Sequence, residues 1–404
     1  MVVGIIAEYN PFHNGHRYQI EQIRKKIKNA VIVVIMSGSF TQRGEPAILD
    51  KFTRAKLAVK GGCDLVLELP FTDSVRSAQD FARGGVNLLK KLGVVDILAF
   101  GAEIDDMNLL TKAAEIIDDV SFKNILHDKL NLGVSYSKAI CQSLSKITGI
   151  NEKILRLPNV ILAIEYLRVL KTSSIAPFLI PRISANHNDN ELHANISSAS
   201  AIRKAIYSKD PLWNEIAKTV DNDTLYALQN SELPSIENLF RPLLIKITCS
   251  NKEYLKNIYG MNEGLENKII DAAHNTGKFT EFVDYIVSRR YTRSRIQRLI
   301  LNLIIGVNKE QVKILDEVSY ARILAFNQYG RELIKSIKTA TKIPIITKIA
   351  QHITSRAIYN QMQNLKLYQQ KLTLDIISTD VLSIICSDIK LEQDFITTPF
   401  YLSN

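Results

Sequence analysis

The chain has 404 residues, of which 46% are hydrophobic and 23% are charged, and its formal net charge is +10. This length exceeds one ordinary compact domain and predicts two folded domains. The composition disfavours a disordered protein, and the positive charge favours association with a polyanion.

Membrane and secretory features are not expected. The longest purely apolar run, Ala30–Met36, is far shorter than the roughly 20 residues of a membrane-spanning helix. The apolar start of the chain lacks the basic segment of a secretory leader and is soon followed by the charged residue Glu8. We therefore expect a cytoplasmic protein without membrane association. The four cysteines are far apart and lack the paired spacing of a zinc site or redox dithiol, which predicts free thiols at Cys63, Cys141, Cys249 and Cys386.

Short β-rich runs alternate with helical patterns over about the first 205 residues. In chain order these elements are Val2–Ala7, Gln19–Lys28, Ala30–Ser37, Asp50–Lys60, Leu65–Leu69, Ala78–Leu92, Val94–Phe100 and Met107–Ile117. The alternation is typical of a parallel sheet with helices on both faces, and it predicts a Rossmann-like α/β domain over residues 1–210. Ligands of such sheets bind beyond the carboxyl ends of the strands, where the strand order reverses.

Helical periodicity dominates the rest of the chain. The predicted helical segments are Leu265–Ala273, Phe279–Arg289, Arg293–Ile305, Asp316–Asn327 and, with interruptions, Lys348–Gln370. They predict a mainly α-helical domain over residues 211–404. Pro211 and the polar stretch Asp221–Asp223 favour a boundary in this region.

The strongest functional signal follows the first predicted strand, in residues 4–18. The strand runs into a turn that contains Pro11, after which His13, Gly15 and His16 open a helix. Free backbone N–H groups and the helix dipole suit the phosphates of a nucleotide there, and Gly15 lets a phosphate approach the backbone closely. The two histidines lie on one helix face, where both can stabilise charge on one phosphate group. A surface pair or half of a metal site is the alternative, which the strand, the proline and the glycine disfavour.

A second phosphate-binding signal lies in residues 195–204, which read NISSASAIRK. Serine hydroxyls at a helix start, followed by Arg203 and Lys204, suit phosphate oxygens. Taken alone, this segment favours an ordinary capped helix that has a basic first turn. Its position about two hundred residues after the histidine pair favours the phosphate-binding interpretation.

Together the two segments resemble the HxGH and ISSTxxR signatures of the nucleotidylyltransferase superfamily, whose members join an acid or phosphate group to the α-phosphate of ATP. The resemblance implies that the second segment closes over the triphosphate through Ser197, Ser198, Ser200 and Arg203. Ser200 takes the threonine position, and Ala199 stands where the signature has a serine.

The first domain further resembles the bacterial tRNA(Met) cytidine acetate ligases. The matching segments are residues 8–16, 36–47, 50–55, 64–70, 100–103 and 157–159. That family activates acetate with ATP to acetyl-adenylate and then acetylates the exocyclic amine of the wobble cytidine of elongator tRNA(Met). The resemblance therefore implies ATP and acetate as substrates and elongator tRNA(Met) as the partner; no protein partner is predicted.

The same resemblance implies the site residues. His13 and His16 would be catalytic, and the ATP contacts would be Ala7, Glu8, Tyr9, Asn10, Pro11, Phe12, His13, Asn14, Gly15, His16, Arg17, Tyr18, Gln19, Ile20, Gly101, Asn159, Arg182 and Ile183. For three of these the residues alone leave a structural alternative open: a strand-end turn at Gly101, turn chemistry after Pro158 at Asn159, and a solvated side chain at Arg182. Ala102 replaces the serine of the family's Phe-Gly-Ser-Glu segment.

Other polar residues follow the second predicted strand and should line the same crevice. Ser39, Gln42, Arg43 and Lys51 are candidates for holding acetate or the incoming cytidine, although structural roles are favoured for most of them. Mg²⁺ is expected to bridge the nucleotide's phosphates, since no set of protein ligands for it is evident.

Five arginines and a tyrosine fall within the arginine-rich segment, residues 288–298. Arginines contact phosphates and a tyrosine stacks on unpaired bases, so the candidates for binding tRNA are Arg289, Arg290, Tyr291, Arg293, Arg295 and Arg298. A solvated basic helix face is the alternative.

At the level of function, a small-molecule adenylyltransferase and a non-catalytic RNA-binding protein remain the rival interpretations.

Overall fold

The computed structural model describes residues 1–182, 192, 196–262, 264–359 and 364–403. Within these residues one mixed sheet is formed by β1 (Val2–Ala7), β2 (Val31–Ser37), β3 (Leu65–Leu69), β4 (Ile97–Ala102), β5 (Ala176–Pro181), β6 (Ala321–Asn327), β7 (Ile345–Ile346) and β8 (Phe400–Leu402). The order is β5-β4-β1-β2-β3-β6-β7, with β8 also pairing with β6. The first five strands are parallel, which confirms the predicted Rossmann-like α/β fold.

The helices before residue 211 are α1 (Asn14–Lys26), α2 (Lys51–Lys60), α3 (Phe71–Ser74), α4 (Ala78–Leu92), α5 (Met107–Ile117), α6 (Val120–Asn131), α7 (Tyr136–Thr148), α8 (Glu152–Leu155), α9 (Pro158–Leu170) and α10 (Ala199–Ile206). Those after it are α11 (Trp213–Ile216), α12 (Asn222–Asn230), α13 (Phe240–Thr248), α14 (Lys252–Asn257), α15 (Leu265–Asn275), α16 (Phe279–Ile286), α17 (Arg293–Ile305), α18 (Lys309–Leu315), α19 (Gln328–Ala340), α20 (Ser355–Ile358), α21 (Leu367–Ile385) and α22 (Gln393–Ile396). Short 3-10 turns cover Ile236–Leu239 and Ile349–Gln351. None of the helices in the described residues is long and apolar enough to cross a membrane.

Strand β2 shows why the sheet is covered on both faces. Val33 and Ile35 pack in a core with α4, α5 and α9, whereas Ile32 and Val34 pack in a second core with α1 and α2. All four side chains are fully buried. Because successive side chains of a strand point to opposite faces, a continuous apolar run of this kind requires a helical layer on each side.

The strand order reverses between β1 and β4. Strand β1 pairs with β2 on one side and with β4 on the other, all three in parallel. The carboxyl ends of β1 and β4 therefore meet at the edge where ligands of doubly wound sheets bind. We call the space beyond these two strand ends the crevice.

The prediction of a helix over Asp316–Asn327 was wrong. Residues 321–327 form β6, which pairs antiparallel to β3, and β7 and β8 extend the sheet from it. Within Ala321–Phe326 every residue except Arg322 is apolar. This pattern does not separate a buried strand from a buried helix, so the pairing with β3 decides that the segment is a strand. The division of the chain at residue 210 stays a prediction, but the later part of the chain returns to complete the sheet.

Candidate active site

A tight turn joins β1 to α1 and places the histidine pair. Tyr9 adopts a left-handed backbone conformation with φ of 46° and is 1% exposed, and a cis peptide bond precedes Pro11. The side chain of Asn10 accepts a hydrogen bond of 2.7 Å from the backbone N–H of Ile48. These buried contacts hold the turn in one shape, so that His13 becomes the residue that caps α1.

The two histidines cap the helix reciprocally. His13 Nδ1 accepts from the Gly15 backbone N–H at 3.0 Å, and His16 Nδ1 accepts from the His13 backbone N–H at 3.3 Å. Their rings stack with centroids 3.7 Å apart. Because each Nδ1 is an acceptor, each neutral ring carries its proton on Nε2, which leaves two N–H donors for a ligand.

Both imidazoles are held neutral. Burial, with Arg182 and Arg203 nearby, lowers the pKa of His13 from 6.5 to about 3. Burial, His13 and Arg182 also lower the pKa of His16 well below its ordinary value. The positive charges that oppose protonation are thus the guanidinium groups, which would attract the same phosphates.

These pKa shifts predict a loss of stability in mild acid. Between pH 6.5 and about 3 the unfolded chain binds a proton at His13 that the folded chain does not, so stability falls as pH is lowered through this window. From His13 alone the loss at pH 5.5 relative to pH 8 is about 1 kcal/mol. Urea denaturation of the wild type and of His13→Gln at both pH values should show a smaller pH effect in the variant; an equal effect would contradict the assignment.

The glycine between the histidines is required by the imidazole itself. A methyl group at Gly15 would lie 2.8 Å from Cε1 and 3.0 Å from Nδ1 of His13. The sequence predicted that this glycine makes room for a phosphate, and the structure adds the packed ring as a second reason. Any larger residue must displace the cap.

Gly15→Ala is expected to weaken ATP binding about tenfold while the protein remains folded, because overpacking of about 1–3 kcal/mol is relieved by moving the His13 ring. Isothermal titration with ATP measures the change. Gly277→Ala is the matched control, since a methyl group there would come no closer than 3.8 Å to another side chain. Equal affinities for the wild type and Gly15→Ala would contradict the proposed placement.

The second motif lies against the first. A methyl group placed on Gly15 would also lie 3.7 Å from Cγ2 of Ile196. Ser198 caps α10 by accepting from Ala201 N–H at 3.1 Å, and its hydroxyl lies 3.0 Å from that of Ser200. Ser197 is buried. The segment that precedes α10 therefore lies beside the start of α1.

Arg203 ties the two motifs together. Its Nη1 donates a hydrogen bond of 2.7 Å to the backbone carbonyl of Asn10, and its guanidinium lies 3.6 Å from the carboxylate of Glu45. This arginine is close enough to His13 to oppose its protonation. Arg203 is thereby fixed beside the histidine pair before any ligand binds.

The remaining predicted ATP contacts gather at the end of β4. A methyl group at Gly101 would lie 3.2 Å from Cγ of Arg182, and the Arg182 backbone N–H donates to Ala102 O at 3.1 Å. Asn159, in the first turn of α9, donates from Nδ2 to Glu103 Oε1 at 2.6 Å. Ile183 lies outside the described residues.

Not every side chain of residues 7–20 faces the crevice. Tyr9, Phe12 and Ile20 are buried in the core beneath α1. Arg17 forms an ion pair of 2.9 Å with Asp221, and Asn14 donates to the carbonyl of Lys218. Contacts of the three core residues to a nucleotide would come from their backbone, and the ATP contacts as a set stay predictions.

Comparison with known proteins identifies the family. The sequence model of the HIGH Nucleotidyl Transferase family matches residues 1–394. A tRNA(Met) cytidine acetate ligase of Thermoanaerobacter sp. (strain X514) is 38% identical over 390 residues, with 94% of each chain covered. This chain belongs to the tRNA(Met) cytidine acetate ligase family.

Other members of the ligase family agree. The Clostridium perfringens (strain SM101 / Type A) ligase is 36% identical over 416 residues, with 98% of each chain covered. Two crystal structures of Thermotoga maritima TmcAL match all of both chains at 32% identity: the apo form I with a TM-score of 0.88, and form II, bound with alpha-thio ATP, with 0.86. The predicted family and fold class are thus confirmed.

Two polar candidates after β2 have partners in the later part of the ligase chain. The Ser39 hydroxyl lies 3.0 Å from that of Thr379. Lys51 Nζ is fully buried and lies 2.8 Å from Glu68 and 2.9 Å from Asp394. These contacts support the structural alternative for both residues.

Lys51 belongs to a buried charge quartet with Glu68, Arg322 and Asp394. Arg322 lies 2.9 Å from Glu68 and 2.7 Å from Asp394, and all four side chains are at most 3% exposed. Two cations balance two carboxylates. The quartet joins α2 and β3 to β6 and α22, so it links the two parts of the ligase chain.

Gln42 connects the crevice to the helical part. Its backbone N–H donates to Glu8 Oε1 at 2.7 Å, and its Nε2 donates to Arg76 O at 2.7 Å. Its carbonyl accepts from Arg298 Nη1 at 3.2 Å. Arg43 beside it is exposed, so this loop presents a positive charge next to the crevice.

Sequence reasoning missed Arg54. It is fully buried in α2 and donates from Nη1 to Glu8 O at 2.6 Å and from Nη2 to Ser37 O at 3.1 Å and to Gly38 O. Burial lowers its pKa to about 10, so it stays charged at neutral pH. It joins the ends of β1 and β2, and no spacing rule in the sequence identifies this role.

The arginine-rich segment leads from this loop to the surface. Arg289 and Arg290 are exposed, and Arg293 pairs with Asp284. The Arg295 guanidinium stacks 4.7 Å above the Tyr291 ring. Burial, with Arg295 nearby, lowers the pKa of Arg298 to about 10. The predicted RNA contacts thus extend outward from Gln42, although they remain predictions.

Within the described ranges, no three His, Cys, Asp or Glu side chains are grouped to hold a metal ion.

Proposed function

We propose that this chain is an ATP-dependent ligase that converts acetate to acetyl-adenylate and transfers the acetyl group to the exocyclic amine of the wobble cytidine in elongator tRNA(Met). The observation that carries the proposal is the pair of stacked, neutral imidazoles that cap α1 between Arg182 and Arg203. The names of the related ligases and the ATP analogue bound to Thermotoga maritima TmcAL support the substrates.

In the first step a carboxylate oxygen of acetate forms a bond to the α-phosphorus while the bond to the β-phosphate oxygen breaks and pyrophosphate leaves. The chain's contribution is to position the reactants and to stabilise charge. The Nε2–H groups of His13 and His16 donate to phosphate oxygens, and Arg182 and Arg203 offset the growing negative charge. Neutral imidazoles suit this role because the protonated form is not needed for donation.

In the second step the cytidine amine attacks the acetyl carbon, AMP leaves, and the amine loses a proton. The loop that contains Gln42 and the exposed Arg43 joins the crevice to Arg298. We propose that tRNA lies along the arginine-rich segment, with its wobble base reaching the crevice past this loop. The cation-stacked Tyr291 offers a surface for an unpaired base.

Mg²⁺ would accompany ATP and neutralise its phosphates. The charged side chains that act on the histidine pair are the guanidinium groups of Arg182 and Arg203, which fit a phosphate and not a cation. Phosphate oxygens and water would therefore hold the ion. A cytoplasmic location stays a prediction.

The proposal is tested with ATP, radiolabelled acetate and unmodified elongator tRNA(Met). Acetate-dependent release of AMP with one label per tRNA is expected. Transfer of AMP to a soluble metabolite would instead indicate a small-molecule adenylyltransferase, and tRNA binding without AMP release would indicate a non-catalytic RNA-binding protein. Replacing Arg289 and Arg295 by Gln should weaken tRNA binding and flatten its salt dependence, with acetyl-adenylate formation unchanged.

A further inference from the structure

A carboxylate at the end of β4 is held in an unusual environment. Glu103 directly follows β4, and its Oε1 accepts the 2.6 Å hydrogen bond from Asn159 Nδ2. Its other oxygen, Oε2, is shielded from water and has no hydrogen-bond partner within the part of the chain that the structure describes. A buried carboxylate oxygen without a donor costs free energy, so the bond from Asn159 is the one hydrogen bond that the described residues donate to this carboxylate.

This bond sets the direction of the Asn159 amide. A carboxylate only accepts hydrogen bonds, so the amide must turn its NH₂ group towards Glu103. The amide carbonyl, Oδ1, then points away from Glu103 as an acceptor. Asn159 is only partly buried, and none of the hydrogen bonds found in the described residues uses its Oδ1.

The pair lies at the crevice. Glu103 is two residues beyond Gly101, and a methyl group placed on Gly101 would lie 3.2 Å from Cγ of Arg182. Arg182 in turn is close enough to the histidine pair to lower the pKa of both histidines. The end of β4 borders the end of β1 at the point where the strand order reverses. With phosphates at the start of α1, a nucleotide's nucleoside part would extend towards β4.

We propose that Glu103 is a positioning residue that fixes Asn159 as a hydrogen-bond acceptor for a donor on the nucleoside part of ATP. The inference rests on the proposed ATP site and adds to it a residue that selects the nucleotide. Two donors carry the required chemistry, the 6-amino group of adenine and a ribose hydroxyl. A nucleotide that lacks the donor leaves Asn159 Oδ1 without its partner and binds less tightly.

The test measures dissociation constants of ATP, inosine triphosphate, 2′-deoxy-ATP and 3′-deoxy-ATP by isothermal titration. In the wild type, the analogue without the donor should bind about five- to tenfold more weakly than ATP. In Glu103→Gln, the dissociation constants of this analogue and of ATP should become nearly equal. A glutamine amide can donate or accept a hydrogen bond, so it allows the Asn159 amide to rotate and exchange its NH₂ and carbonyl positions. If the variant no longer discriminates ATP from inosine triphosphate, the donor is the adenine amine. If it no longer discriminates ATP from a deoxy analogue, the donor is the ribose hydroxyl that this analogue lacks.

A second variant separates positioning from general damage. In Glu103→Gln/Asn159→Asp, the introduced glutamine amide would donate to the introduced carboxylate, which can only accept, so selectivity against the same analogue should return. Glu103→Gln with unchanged ratios, or with equal weakening of all four nucleotides, would overturn the inference. Binding of inorganic tripolyphosphate, which needs only the histidine end, should be equal in all variants; its failure in the wild type would instead refute the proposed phosphate site.

Discussion

His16→Ala is expected to lower the rate of acetyl-adenylate formation by about 10²–10³-fold, the usual effect of removing one donor to a developing oxyanion. The variant loses an Nε2–H group at the phosphates and also the acceptor for the His13 backbone N–H. It loses half of the stacked pair as well, so His13 is less firmly oriented. Acetate-dependent exchange of pyrophosphate into ATP measures this step without tRNA.

Two controls interpret that result. His127 is exposed on α6, so His127→Ala should exchange pyrophosphate at the wild-type rate. Thermal unfolding of His16→Ala should stay cooperative, since a helix cap contributes about 1 kcal/mol. A folded His16→Ala protein with undiminished exchange would contradict the proposed role of the histidine pair.

Lys51→Met is expected to lower the free energy of unfolding by about 3–5 kcal/mol, because it leaves the two carboxylates of the buried quartet facing a single cation. Urea denaturation measures the loss. The affinity of the folded variant for ATP should change little, because the quartet joins α2 and β3 to β6 and α22 and includes none of the predicted ATP contacts. A large loss of acetate use without loss of stability would instead support the alternative in which Lys51 holds the substrate.

A double variant that restores the balance of charge should rescue the stability of Lys51→Met. Lys51→Met/Asp394→Asn removes one charge of each sign and keeps the pair of Arg322 with Glu68, so much of the lost stability should return. Lys335→Met serves as the exposed control, since Lys335 and its partner Glu332 are both more than 60% exposed. That change should cost less than about 1 kcal/mol. A double variant no more stable than Lys51→Met would show that packing, and not charge, governs the site.

Local chemistry made the nucleotide end of the site predictable. The turn after β1, the two histidines and the glycine between them are adjacent in the chain, so their spacing alone places them on one helix start. Arg203 was predicted from its own motif, but its bond to Asn10 O joins residues 193 positions apart. Glu103 and Arg54 gave no such signal, since each acts through a partner that is distant in sequence.

The amino-acid sequence by itself determined the alternating parallel fold, the family and the histidine-capped helix, because these depend on periodicity and on residues within one turn. Only the tertiary structure decided that residues 321–327 are a strand and that Lys51 lies in a buried charge quartet. The physical reason is that an apolar run or a lysine takes its role from what packs against it. Those partners, β3 for the strand and Asp394 for the lysine, lie hundreds of residues away and meet only when the chain folds.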